Sequence, residues 1–213
     1  MWTIFKYKQI GQFALRPTLS TGKGRVSLPL PHPYAIKTAI IKYYMRYYNK
    51  SDSIPQDKFD EIKNLKMIVL PPDYVIINGF TAIKYNGNKK NKAPTYTEKV
   101  FWKGELHIAI KDVNDWIKEI MEILPYIGQK DGLIRYVGNE EVEKIIPSNN
   151  GIICMMDDFD KNCTWDHINK LKEVESKKCQ RSDGRITNNT IIGLKLKDAV
   201  GNTVIYKKIK NDK

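Results

Sequence analysis

Three prolines fall within the six residues Leu28-Pro-Leu-Pro-His-Pro33, which run directly into Tyr34-Ala-Ile-Lys-Thr-Ala-Ile-Ile-Lys-Tyr-Tyr-Met-Arg-Tyr-Tyr48, and no other stretch constrains the fold as much. The prolines stiffen the entry into a helix, and Pro33 stands where a helix start tolerates it. Ala35, Ile36, Ala39, Ile40, Tyr43, Tyr44 and Tyr47 then recur at three-and-four spacing, so one helix face is apolar. Lys37, Lys42 and Arg46 fall largely off that face, either as solvated surface or as a rail facing phosphates. Upstream, Gly22 and Gly24 let backbone amides approach an anion while Arg16, Lys23 and Arg25 bring charge, and the helix N-terminus adds its dipole. The whole stretch reads as a cradle for a polyanion, with His32 between two prolines beside it.

The remaining elements follow in a simple order. Trp2–Ile10 alternates like a strand, and residues 11–33 read as a long loop. Residues 49–66 are polar with a helical hint over Gln56–Leu65, and Met67–Leu70 before Pro71-Pro72 is a small buried strand or a loop anchor. Asp73–Tyr85 predicts a strand with a bulge or turn at Asn78-Gly79, and Val100–Ile110 a second strand with Leu106, Ile108 and Ile110 on one face and His107 on the other. Between them Asn86–Lys99 is too polar for a core and predicts a protruding, flexible basic hairpin. Asp112–Leu124 carries the apolar stripe Trp116, Ile117, Ile120, Met121 and Leu124, stopped by Pro125 and Gly128, and Leu133–Val137 is the next strand. Residues 1–137 thus predict a ferredoxin-like βαββαβ domain of α+β class, the plan also used by RNA-recognition modules. Residues 138–213 predict a small β-rich elaboration or second lobe: a strand over Gly151–Met156, an acidic turn Asp157–Asp160, a helix over Thr164–Lys178, and a hairpin of Thr190–Leu196 and Asn202–Lys208 around Gly201.

Charge narrows the class of partner. Of the net +12, residues 1–112 hold 19 Lys and Arg against 8 Asp and Glu, and residues 113–213 hold 17 against 16. Basicity concentrated in one half is the footprint of a nucleic-acid or anionic-membrane partner, and nucleic acid is the reading favoured here. No run of about 18 apolar residues is present to span a bilayer, and the N-terminus alternates charge and bulk, so a cytoplasmic protein without a membrane partner is expected. Cys154, Cys163 and Cys179 are odd in number and lack C-x-x-C spacing, which argues for reduced thiols and against a zinc site.

Catalytic constellations are sparse. A metal-independent ribonuclease site can be drawn from His107 as general base, Lys103 on the same predicted strand face, and Tyr43 or Tyr44. The structural reading of these residues is the stronger one, because three histidines in 213 residues need no special role. Asp157, Asp158 and Asp160 lack the spacing and glycine of a calcium loop, and Gly22-Lys-Gly24 is not a Walker loop. Neither a metal nor a cofactor is called for.

Phe13-Ala-Leu-Arg-Pro17 followed by Ser27-Leu-Pro-Leu-Pro-His-Pro-Tyr-Ala-Ile-Lys-Thr-Ala-Ile40 resembles the N-terminal signature of the Cas-five family, the RAMP-superfamily subunit of type I CRISPR Cascade complexes. The likeness covers about residues 1–137, and the basic hairpin sits where that family carries its thumb. It implies a non-catalytic subunit that caps the five-prime handle of the crRNA, touches the adjacent backbone subunit with its thumb, and helps seat the large subunit, target DNA being met through the complex. Carried to this chain, the RNA-binding residues are Arg16, Lys23, Arg25, His32 and Lys37 around the proline turn, with Lys84, Lys89, Lys90 and Lys92 in the thumb. One subtype of the family processes pre-crRNA with a Tyr, Lys and His set. The adjacent Lys-His pairing it uses is absent here, and so is the glycine-rich C-terminal loop of the Cas-six nucleases.

Overall fold

Phe5 and Tyr7, two residues apart on the first strand and both fully buried, define the inner face of the main sheet. The structure, a computed structural model, describes residues 1–15, 24–86, 89–128, 132–166, 168 and 184–210, with the backbone alone at 24–25, 82–86 and 89–95. In chain order the elements are β1 Trp2–Gln9, β2 Gly24–Arg25, α1 Pro33–Tyr43, α2 Gln56–Lys63, β3 Met67–Leu70, β4 Tyr74–Asn86, β5 Lys89–Lys103, β6 Leu106–Lys111, α3 Asp115–Ile123, β7 Ile134–Val142, β8 Ile152–Phe159, β9 Arg185–Ile192, β10 Leu194–Val200 and β11 Thr203–Lys208.

The main sheet has the order β3-β6-β1-β7 with every pair antiparallel. Together with α1 and α3 this is the ferredoxin-like βαββαβ plan, so the α+β class read from the sequence holds. Leu106, Ile108 and Ile110 of β6 stand beside Tyr7, Phe5 and Thr3 of β1, and pack against Ile36 and Ile40 of α1 and Ile117, Ile120 and Met121 of α3, all eight aliphatic side chains fully buried. Burying each such side chain stabilises the fold by roughly 1.5–3 kcal/mol. Beyond Tyr43 the first helix widens into a π-helical stretch, Tyr44–Asn49, ended by Lys50 at φ 44°. None of the helices among the described residues is long and apolar enough to cross a membrane.

The second strand of the plan differs from the sequence reading. It is the short β3, while β4, expected in the main sheet, turns into a second sheet of order β10-β11-β4-β5-β2. The predicted strand Val100–Ile110 is also two strands, broken at Gly104, which sits at φ 97° and whose absent Cβ would lie 2.8 Å from the Asp73 carboxylate. Only glycine takes that turn without strain. Residues 86–99, predicted as a protruding, flexible basic hairpin, belong largely to the β4–β5 ladder, with pairs from Tyr74↔Lys103 out to Asn86↔Lys89.

The C-terminal residues complete this second sheet, because β11 pairs with β4 from Tyr74 to Asn78 and β10 with β11. The predicted strand Thr190–Leu196 divides at Gly193 between β9 and β10. Asp157 and Asp158, predicted in a turn, lie within β8, which pairs with β9 as a separate two-stranded ribbon. Of the helix predicted over Thr164–Lys178 only its start is described, and Cys179 lies outside the described residues, whereas Cys154 and Cys163 are free thiols.

Candidate nucleic-acid interface

The proline turn is core. Leu28 and Leu30 are buried, Trp102 of β5 packs on Phe13 at 4.9 Å between ring centroids, and its indole Nε1 donates to the Pro29 carbonyl at 2.9 Å. His32 is 2% exposed and caps α1: its Nδ1 accepts from the Ala35 amide at 3.2 Å, and its Nε2 lies 3.9 Å from the Asp157 carboxylate. Burial pushes the imidazole down to about 4, against the opposing pull of Asp157 and with help from Arg185. Lys37, also 2% exposed, donates from Nζ to Asp158 Oδ1 and to the Lys63 carbonyl, each at 2.8 Å, and burial lowers its affinity for a proton.

These two residues therefore correct the sequence reading. Expected as surface cations for RNA, His32 and Lys37 are interior groups that fasten α1 to β8, and the carboxylates they meet are those expected in an acidic turn. Asp157 accepts from the Thr187 hydroxyl at 2.7 Å as well. Among the described residues no group of His, Cys, Asp or Glu is arranged to hold a metal ion.

The basic loop ahead of the turn leads to the other sheet. Arg16 and Lys23 lie outside the described residues, and Arg25 is placed by its backbone, paired in parallel with Thr97 of β5. Next to it the Ser27 amide donates to Glu98 Oε2 at 2.7 Å. The end of the loop is thus held on the edge of the β4–β5 hairpin.

That hairpin carries the other cations expected to meet RNA. Its strands are 13 and 15 residues long, and β11 covers β4 only as far as Asn78. β2 covers β5 as far out as Tyr96, opposite Thr81; from Ala82 outward the two strands pair only with each other, so an arm about five residues long, on the order of 17 Å, projects beyond the sheet. From Tyr74 to Thr97 the sequence has no Asp or Glu but has Lys84, Lys89, Lys90 and Lys92, all in the outer half. The side chains of these four lie outside the described residues, and the register places Lys84 opposite Ala93 and Lys89 opposite Asn86. Near the arm's root the Tyr96 hydroxyl lies across Gly79, and a Cβ there would push the exposed tyrosine aside.

The residues drawn together as a ribonuclease site fall in three places. Lys103 ends β5 in the second sheet, where its Nζ lies 5.8 Å from the centre of the Tyr74 ring. His107 is on β6, on the face of the main sheet opposite Leu106 and Ile108, 3.7 Å from Glu105, with its proton affinity lowered by burial and by Lys208 and Lys6. Tyr43 is buried on the helix side, stacked on Tyr47 at 5.2 Å, and Tyr44 packs edge-on to Trp116 at 5.2 Å. The break at Gly104 separates Lys103 from His107, a break that alternation alone did not reveal.

No family model matches the chain, and no curated protein matches it. Among solved structures it is similar to a chain of the type III-B Cmr-beta bound to cognate target RNA, at 15% identity and a TM-score of 0.45, over 65% of this chain. The chain spans 59% of the length of that relative. It is also similar to a CRISPR protein from Archaeoglobus fulgidus, at 12% identity and a TM-score of 0.44, over 97% of this chain and 99% of the other.

Proposed function

We propose that this protein is a non-catalytic RNA-binding subunit of a CRISPR ribonucleoprotein, and that within a type I Cascade it caps the five-prime handle of the crRNA. The observation that carries the reading is the arm: a two-stranded projection with four lysines and no carboxylate, inserted between β3 and β6 of a ferredoxin-like domain. A projection of that charge gains nothing from packing on its own protein and gains substantially from a phosphate chain, whose condensed counterions it releases. In this role the arm also touches the neighbouring backbone subunit, the large subunit docks alongside, and target DNA is met through guide pairing. The ribonuclease alternative draws on residues that stand apart, so the binding role is preferred.

Filter binding decides the matter. A crRNA with an intact handle is expected to bind more tightly than one with a scrambled handle, with affinity falling steeply as salt rises. Equal and salt-insensitive affinities overturn the reading.

A further inference from the structure

The outward face of the second sheet carries a cationic row that the arm does not use. Cross-strand pairing lines up Lys103 of β5, Tyr74 of β4, Lys207 of β11 and Lys195 of β10, in that order, across about 14 Å. A bulge between Leu196 and Asp198 leaves Lys197 unpaired, and its Nζ reaches to 5.0 Å from the Tyr74 ring centre, with Lys103 at 5.8 Å and Lys207 at 6.0 Å. Three ammonium groups thus surround one ring. All four lysines are exposed, and none forms an ion pair among the described residues.

The next row on the same face is apolar and then reaches one acid: Phe101, Ile76, Ile205 and Asp198. Phe80 lies further along toward the arm, six residues from Tyr74 or about 20 Å. Phe101 is 38% exposed and Phe80 42%. Two carboxylates stand nearby: Asp198, on this face, accepts from the Ala199 amide at 2.8 Å, and Asp73 lies beside Gly104.

We infer that this face is a second binding site, distinct from the arm, for one strand of RNA whose phosphates lie over the Tyr74 row and whose bases stack on Phe101 and Phe80. The proposal rests on the RNA reading above for the identity of its ligand. Clustered lysines repel one another, and an anion relieves that repulsion. Exposed aromatics beside them suit a nucleic-acid strand better than an acidic peptide, because every base offers a ring to stack and a carboxylate chain offers none.

The test uses the full chain and a fluorescent oligouridylate, which lacks any handle sequence, over a series of potassium chloride concentrations. Replacing Lys103, Lys195 and Lys207 together by Gln is expected to flatten the slope of log affinity against log salt by about 2, since each phosphate contact on a single strand contributes about 0.7. Phe80→Ala with Phe101→Ala is expected to weaken binding roughly tenfold at fixed salt with the slope retained. Circular dichroism should show all variants folded. An unchanged slope in the lysine variant, with binding lost on Lys84, Lys89, Lys90 and Lys92→Gln, overturns this site and leaves the arm reading standing. A flattened slope with no effect of the phenylalanine variant overturns the stacked strand and leaves phosphate contacts alone. Absence of binding to both oligouridylate and handle RNA overturns the site and the functional reading together.

Discussion

Lys37 Nζ and Asp158 Oδ1 meet at 2.8 Å across 121 residues of sequence, joining the first helix to a strand of the C-terminal ribbon. The pair stands beside His32 and Asp157, so two neighbouring links hold the same junction. Lys37→Met removes two charge-assisted hydrogen bonds and leaves the Asp158 carboxylate to partial solvation. It is expected to cost about 2 kcal/mol of stability in denaturant titrations while leaving RNA affinity unchanged. A variant of native stability that binds RNA poorly would return Lys37 to the binding surface.

The second link titrates. His32 has its folded value near 4 and an ordinary value of 6.5, so between those pH values the unfolded chain binds more protons than the folded one. Stability therefore rises with pH through this window, and the contribution of this one group is lost as the pH falls toward 4, by about 2–3 kcal/mol. His32→Asn keeps a capping side chain and should remove that part of the slope. Urea midpoints measured at closely spaced pH values check it, and an identical pH profile in the variant would exclude His32 as the source.

Gly104 is the joint between the two sheets. Gly104→Ala places a Cβ at φ 97° against the Asp73 carboxylate, and a loss on the order of 1–3 kcal/mol is expected. Gly201→Ala, at φ 56° with open space around it, is the comparison and should lose less. Thermal melts of the two variants side by side decide the ranking.

Lys89→Glu with Lys90→Glu reverses charge at the arm's tip. The double variant is expected to melt within about 1 kcal/mol of the parent and to bind RNA many-fold more weakly at low salt. Recovery of affinity at low salt with Lys89→Gln and Lys90→Gln would be only partial. Loss of the folded state in the double variant would mean that the tip packs on the protein.

With Lys103, His107 and Tyr43 in separate places, repeat RNA incubated with the protein in EDTA is expected to remain intact. A discrete product that disappears with His107→Ala would revive the nuclease alternative.

Much of the fold was legible in the sequence because it is local. The stripes Ile36–Ile40 and Ile117–Met121 and the alternation around Phe5 each report burial within one element. What was hidden is non-local. Asp73–Tyr85 looks the better sheet strand than the four residues Met67–Leu70, and nothing in its composition says that it pairs with Thr203–Lys207 instead. His32 and Lys37 looked like surface cations because their partners lie more than 100 residues on. The lysines around Tyr74 are hidden in the sequence for the same reason, since three of the four come from the half of the chain whose charges nearly cancel.

The strand that flanks β4, Thr203–Lys208, follows its pairing partner by more than 120 residues. During synthesis the root of the arm must then wait, with a bare backbone edge, until β11 has been made. Until that point the nascent protein presents an open β-edge to its neighbours. Loss of β10 and β11 would leave the ferredoxin-like sheet its own strands, and the harm would fall on the arm's footing and on aggregation.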